Sequence, residues 1–206
     1  MTPARLGFVA VLAVLVLGGG WLAWQKLRPP LIIGPTTTSG TVEIGGPFEL
    51  TDQTGARRSD EEFRGRYILI YFGYTYCPDV CPTSLLAMSR ALQLLSARAP
   101  EAAEQVVPVF VTVDPERDTV EALAAYAPSF HPDLVTLTGT PDEIAAAAKA
   151  YRIYYAKAED ASSGTYLMDN SSFIYLMGPD GAYLAHFSHL AQSEDIAESL
   201  ERHIGG

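Results

Sequence analysis

The sequence predicts an α/β domain of three layers, in which helices cover both faces of a central mixed sheet. Three short apolar runs, rich in β-branched and aromatic residues, carry this prediction: residues 67–74, 106–114 and 133–139. Each run is continuously apolar, as in a strand that is buried on both faces. Helical patterns separate the runs, and repeated βαβ units of this kind build a parallel sheet.

The remaining predicted elements are four helices and one hairpin. The helices are expected over residues 82–98, 119–129 and 140–153. The third helix opens with Thr140 and Glu143, a capping-box pair, and with Pro141 at its first helical position. Residues 172–187 form two strand-like runs around a Pro-Asp-Gly turn, which indicates a hairpin, and an amphipathic helix follows over about residues 193–203.

The first 40 residues differ from the rest in composition. Residues 6–24 are 19 positions without a charge, and as a helix they would cover ~29 Å, about the hydrocarbon thickness of a bilayer. The alternative is a cleaved signal peptide, but the run is longer than a usual signal core and no clear cleavage site follows it. We therefore expect a transmembrane anchor over residues 1–27, a Pro/Thr/Gly linker over 28–40 and a folded domain over 41–206.

Charge restricts the partners of the chain. Its formal net charge is −10 at pH 7, which argues against binding to nucleic acid or to an anionic membrane surface. An acidic surface that aids solubility explains the excess of carboxylates. Charge does not fix the orientation of the anchor, because Lys26 and Arg28 after the apolar run offset Arg5 before it.

The chain has two cysteines, Cys77 and Cys81, each followed by proline. They come where the first buried strand passes into a helix, a common location for sites in α/β sheets. If the helix begins near Pro78, both sulfurs lie on one face with Cβ atoms about 5–6 Å apart, whereas a disulfide needs about 3.5–4.5 Å. The helix amino terminus favours the thiolate form of both side chains.

Several chemistries fit two such thiols. A pair of thiolates suits a soft metal ion, and Cu(I) in particular. A structural zinc site is not indicated, because it needs four ligands. Dithiol redox chemistry, a structural disulfide and two inert buried thiols all stay open on spacing alone.

Taken together, the motifs resemble those of the SCO/SenC family of copper-binding assembly proteins. The matching segments, in the family's order and spacing, are YFGYTYCPDVCPTSL, VFVTVDPERDT, HPDLVTLTGT, AKAYRIYY and YLMDNSSFIYLMGPDGAYL. The resemblance covers about residues 42–203, and the joint occurrence of the cysteine motif and DPERDT is highly specific. It implies a thioredoxin-like fold and a domain anchored on the extracytoplasmic side, in the periplasm or the intermembrane space.

The resemblance also implies a function. Copper bound by Cys77 and Cys81 would be delivered to the binuclear copper centre of cytochrome c oxidase during assembly, with the subunit that holds this centre as partner. Some family members look more like thiol-disulfide oxidoreductases that reduce the cysteines of that centre. This second activity is the alternative for the present chain.

One position departs from the family pattern. The family completes its copper site with a histidine five residues before the tyrosine of the following strand, and this chain has Asn170 there. An amide oxygen is a hard, weak ligand, whereas imidazole suits copper in both oxidation states. We therefore expect the two thiolates to retain Cu(I) and to bind Cu(II) much less well, and the third ligand stays open.

Other potential ligands are weaker candidates. We expect His131 and His203 to be exposed and distant from the cysteines. His186 and His189 have a three-residue spacing that can form metal sites, but such pairs are more often surface residues.

Three residues near Asn170 or on neighbouring strands also need assignment. Met168 and Met177 are soft ligands in principle, but at strand positions we expect them in the core. Asp169 is a candidate for orienting a ligand beside it, because carboxylates commonly do so next to metal sites.

The DPERDT segment follows a buried strand. Turn and cap chemistry explains much of it, with Asp118 or Thr119 capping the next helix. Because the segment also lies at the carboxyl end of a strand beside the cysteine loop, Asp114 is expected to contact a partner or to shape the site.

Overall fold

The computed structural model describes residues 43–160 and 165–205. Within these residues the strands are β1 (Glu49–Asp52), β2 (Arg57–Ser59), β3 (Tyr67–Gly73), β4 (Val106–Thr112), β5 (Val135–Thr138), β6 (Tyr155–Asp160), β7 (Thr165–Asn170), β8 (Phe173–Met177) and β9 (Tyr183–Ser188). The helices are α1 (Val80–Arg98), α2 (Pro100–Ala103), α3 (Val120–Tyr126), α4 (Pro141–Ala150) and α5 (Ser193–Ile204). Two short 3-10 turns lie at Asp60–Phe63 and Ala127–Ser129.

Seven of the strands in the described part form one mixed sheet, in the order β2-β1-β5-β4-β3-β8-β9. The three central strands β3, β4 and β5 are parallel, while β1 and β8 pair antiparallel on either side of them. Strands β6 and β7 form a separate antiparallel ribbon. The predicted central mixed sheet is therefore confirmed.

The centre of the sheet sets the position of the cysteines. All seven residues of β4 and the last six of β3 are buried, as their continuous apolar sequence predicts. The register pairs Tyr67 with Val106 and Gly73 with Thr112, so the two strands end at the same level. The loop that carries the cysteines after β3 and the DPERDT segment after β4 therefore lie side by side.

Most predicted elements are confirmed, with shifts of a few residues at their ends. Thr140 accepts a hydrogen bond from Glu143 N–H, and the Glu143 carboxylate accepts one from Thr140 N–H, so the capping box is complete. The predicted hairpin is present as β8 and β9, with Gly181 in its turn at φ +77°. A positive φ of this size favours glycine.

The predicted anchor (1–27) and the predicted linker (28–40) fall outside the described residues. Within the residues that the structure does describe, no helix is both long and apolar enough to cross a bilayer.

Candidate metal centre

Cys77 lies in the turn between β3 and α1, outside the helix. Its N–H donates to the carbonyl of Tyr74 at 3.3 Å, and its sulfur accepts a hydrogen bond from Cys81 N–H at 3.3 Å. Helix α1 begins at Val80, two residues after the Pro78 start considered from the sequence, so Cys77 lies outside the helix. The Cys77 sulfur instead satisfies one of the free N–H groups of the first helical turn.

The two sulfurs are not equivalent. Cys77 is half-buried, whereas Cys81 is 0% exposed. A hydrogen bond from the Cys81 thiol, with further ones from the N–H groups of residues 79–81, outweighs burial and lowers the pKa of Cys77 to about 5. The same contact with Cys77, together with burial, raises the pKa of Cys81 well above its usual range. The helix amino terminus therefore favours a thiolate at Cys77 alone, which corrects the expectation for Cys81.

Gly73, the last residue of β3, lets the Cys81 sulfur sit against the sheet. A Cβ atom at this position would lie 2.9 Å from the Cys81 sulfur and 3.1 Å from the ring of Phe110. Both distances are shorter than a normal contact to a Cβ. The absence of a side chain at Gly73 thus provides the space into which the sulfur packs.

Asn170, at the end of β7, is tied to the strand that precedes the cysteines. Its side-chain amide donates to the carbonyl of Phe72 at 3.0 Å. Phe72 directly precedes Gly73, which the Cys81 sulfur contacts. The amide N–H is thereby used in a structural contact, and the carbonyl oxygen left over is a hard donor of the kind that copper in thiolate sites does not prefer.

Asp118 holds the cysteine loop to β4, a role that the sequence did not reveal beyond a possible cap. The carboxylate is 0% exposed and accepts three hydrogen bonds. These come from the N–H of Thr75 at 2.9 Å, the hydroxyl of Thr75 at 2.6 Å and the hydroxyl of Thr112 at 2.6 Å. Thr119, not Asp118, caps α3. Because Thr75 lies two residues before Cys77, Asp118 fixes the start of the cysteine loop.

Asp114 supports the cysteine loop through Arg117. It is 1% exposed, pairs with Arg117 and accepts a hydrogen bond from the hydroxyl of Tyr166 at 2.9 Å. The Arg117 guanidinium lies 3.7 Å from the ring centroid of Tyr166 and 4.7 Å from that of Tyr76, the residue before Cys77. The Asp114 carboxylate is buried in this chain, and its contact with a partner stays a prediction. Its contacts support the alternative, a site-shaping residue.

No histidine joins the cysteines in the described part of the chain, where no group of three or more His, Cys, Asp or Glu side chains is placed to hold a metal ion. His131 is only 16% exposed and bonds the N–H of Asp133, and His203 donates to a carbonyl one turn earlier in α5. Both are therefore more buried than expected. His186 and His189 are exposed.

The remaining candidates lie as their strand positions suggest. Met168 and Met177 are buried in the core, as expected. Asp169 is exposed on β7 beside Asn170, and its role in orienting a ligand stays a prediction.

The chain is similar to the proteins of a known family. The SCO1/SenC family model matches residues 36–205. The chain belongs to the SCO1/SenC family. "Protein SCO1 homolog, mitochondrial" from Homo sapiens is 41% identical over 161 residues, which are 78% of this chain and 53% of that protein. The chain thus spans about half the length of this SCO1 relative.

Solved structures of family members have the same fold. Arabidopsis thaliana ScoI with copper bound is 38% identical, with a TM-score of 0.74 over 79% of this chain and 98% of the other. Bradyrhizobium japonicum ScoI with copper bound is 43% identical, with a TM-score of 0.70 over 77% and 98%. These likenesses confirm the thioredoxin-like α/β fold that the resemblance implied.

Proposed function

We propose that this SCO1/SenC protein binds Cu(I) through Cys77 and Cys81 and delivers it to the binuclear copper centre of cytochrome c oxidase during assembly. The observation that carries this proposal is the position of the Cys77 sulfur at the amino terminus of α1, where it accepts a hydrogen bond from the N–H of Cys81, the second cysteine, at 3.3 Å. Thiolate pairs select Cu(I) over harder cations. The copper bound in two related ScoI structures supports the same cargo.

The two sulfurs differ in burial and in pKa, and this difference suggests how copper enters and leaves the site. Cys77 is already favoured as a thiolate and is half-buried, so it can meet a copper ion that a donor protein presents. Cys81 must release its proton to become the second ligand. Transfer then proceeds by exchange of thiolate ligands between two proteins, without turnover of a substrate.

Anaerobic titration of the full chain with Cu(I), in competition with a chromophoric Cu(I) chelator, tests the ligands. We expect one Cu(I) per chain in the wild type and a loss of high affinity in both Cys77→Ser and Cys81→Ser. Met168→Leu is the matched control, because it removes a buried sulfur without touching the pair. Full affinity in either cysteine variant would contradict the proposal.

A thiol-disulfide oxidoreductase is the second candidate, and the unequal pKa values favour it. In this reaction the Cys77 thiolate attacks one sulfur of a partner disulfide and releases the other partner sulfur as a thiol. Cys81 then gives up its proton and attacks the Cys77 sulfur, which frees the second partner thiol and leaves Cys77 and Cys81 joined as a disulfide. The partner gains the two electrons that the pair loses.

The two candidates are separated by measuring Cu(I) affinity beside the rate at which the reduced chain reduces a model disulfide. Tight copper binding with slow reduction would exclude the oxidoreductase. Fast reduction with weak copper binding would exclude the copper carrier.

We also propose the location of the domain. The uncharged run at residues 6–24 supports a single membrane anchor, and the mitochondrial SCO1 relative supports an extracytoplasmic domain, in the intermembrane space or the periplasm.

A further inference from the structure

Three buried hydroxyl groups near Cys81 have no hydrogen-bond partner among the residues that the structure describes. They are the hydroxyls of Tyr71, Ser84 and Tyr126. A buried hydroxyl without a partner lowers the stability of a folded protein, because it has lost its bonds to water and gained none. Three such groups in one region suggest that a hydrogen-bond acceptor becomes available to them in another state of the protein.

The side chains that carry two of the three hydroxyls lie beside Cys81. The point where a Cβ of Gly73 would stand is 2.8 Å from the Tyr71 ring and 2.9 Å from the Cys81 sulfur, so ring and sulfur meet there. Burial raises the pKa of Tyr71, the neighbouring Cys81 raises it further, and the hydroxyl of Ser84 lowers it. Ser84 is buried one turn after Cys81 on α1. Tyr71, Ser84 and the sulfur thus form one cluster.

Tyr126 differs from the other two. Burial is the main cause that raises its pKa, and the two cysteines add to it only through their charge. Its ring packs against the rings of Phe110 and Phe130. Tyr126 is therefore a buried, unpartnered hydroxyl in the same region that does not contact the sulfur.

In the metal-free structure neither the Tyr71 nor the Ser84 hydroxyl makes a hydrogen bond to the Cys81 sulfur. A thiol sulfur is only a weak acceptor. A cysteine that binds Cu(I) does so as a thiolate, and its proton passes to solvent. Hydrogen bonds to an ionised acceptor are about twice as strong as those between neutral groups.

We propose that Tyr71 and Ser84 are positioning residues, which donate hydrogen bonds to the Cys81 sulfur when it is a copper ligand. The inference rests on the proposed copper function and adds two residues to its site. Both hydroxyls are unsatisfied without copper and satisfied with it. They therefore destabilise the metal-free form relative to the copper form and raise the affinity for Cu(I).

The test compares Tyr71→Phe and Ser84→Ala with Tyr126→Phe, all in the full chain under anaerobic conditions with Cu(I) as the probe. We expect Tyr71→Phe to weaken Cu(I) binding about tenfold, the effect of one charge-assisted hydrogen bond. Ser84→Ala should weaken it in the same direction, and Tyr126→Phe should leave it unchanged. The melting temperature of metal-free Tyr71→Phe should equal or exceed that of the wild type, because the lost hydroxyl had no partner.

The melting temperatures separate positioning from a structural role. If Tyr71 only supports the fold, the metal-free variant melts lower and its copper-induced rise in melting temperature stays as in the wild type. The inference is also overturned if Tyr71→Phe and Ser84→Ala both bind Cu(I) as tightly as Tyr126→Phe does. If the wild type itself fails to bind Cu(I), the proposed function fails, a result distinct from either of these.

Discussion

At the scale of single residues, the site depends on the different surroundings of two identical side chains. Cys77 has the N–H groups of the first turn of α1 directed at its sulfur, whereas Cys81 is fully buried. In the metal-free chain the first environment stabilises negative charge, while the neighbouring Cys77 and burial disfavour it at Cys81. Cys77 is therefore the more reactive of the two thiols.

This difference predicts the pH dependence of alkylation. A lowered pKa leaves the Cys77 thiol ionised above that value, so its rate of reaction with iodoacetamide should rise through about pH 5 and level off above pH 6. Cys81 should stay unmodified up to pH 9 in the folded chain. Mass spectrometry of chains labelled between pH 4 and pH 9 gives both profiles. A Cys77 midpoint near the ordinary thiol pKa of about 8.5 would contradict the prediction.

Asn170 predicts the response to Cu(II). Asn170→His should allow stoichiometric Cu(II) binding with a strong thiolate-to-copper absorption band, because an imidazole can keep one N–H on the Phe72 carbonyl and present its other nitrogen to the metal. The wild type should show little of this band. Ser171→His is the control, since it places an imidazole one residue away. A strong band in the wild type would show that the third position does not need a histidine.

The sequence revealed the residues of this site with strong local signals and missed those that act through distant contacts. The spacing of Cys77 and Cys81 and the position of Asn170 can be identified directly from motifs. Asp118 and Tyr71 cannot, because their roles depend on Thr75 and on the Cys81 sulfur, which only the folded chain brings to them. The difference between the two cysteines depends in the same way on where α1 begins.

At the scale of elements, the ends of β3 and β4 carry the site because they finish in register. Asp118, after β4, bonds Thr75, after β3, and so joins the two loops. The carboxylate is buried, and so is the Thr112 hydroxyl that donates to it. The contact between Asp118 and Thr75 therefore restricts the motion of the cysteine loop.

Asp118→Ala should destabilise the protein by ~2–4 kcal/mol, because it leaves buried donors unsatisfied. It should also shift the alkylation midpoint of Cys77 to higher pH, since a loosened loop no longer holds the sulfur at the N–H groups of α1. Urea denaturation and the labelling profile measure the two effects.

Thr119→Ala is the control for this substitution. It removes the cap of α3, which costs ~1 kcal/mol, and the cap is made within that helix, to the N–H of Ala122. The variant should lose stability without any shift in the Cys77 profile. An equal shift in both variants would show that general destabilisation, not the contact with Thr75, controls the cysteine loop.

Prediction of the elements depended on how deeply each one is buried. Strands β3 and β4 were found because strands covered on both faces are rich in apolar residues, and β5 because its valine, threonines and leucine favour strands. Strands β1, β2, β6 and β7 were missed, because they are short or carry charged residues such as Arg57, Arg58 and Lys157. The β6–β7 ribbon carries Asn170, which stands where the family has its third copper ligand. The structure around this residue was therefore the least predictable part of the site.

At the scale of the whole molecule, a net charge of −10 suits a domain that binds other proteins rather than nucleic acid. If the domain delivers copper to a membrane-bound oxidase, as we propose, delivery is more efficient when the domain is held at the same membrane. An anchor restricts diffusion to two dimensions and raises the effective concentration of the partner. The proposed anchor at residues 1–27 therefore belongs to the proposed function.

The full chain should remain in the membrane fraction after washing with alkaline carbonate, because a helix of 19 uncharged residues is held by the hydrocarbon core and not by charge. A chain that begins at residue 41 should move to the soluble fraction. The mass of the membrane-bound protein should be that of the uncleaved chain. In intact spheroplasts, added protease should degrade the domain from outside. A shortened, soluble product from the full gene would instead identify the apolar run as a signal peptide, and a protected domain would place the copper site on the cytoplasmic side.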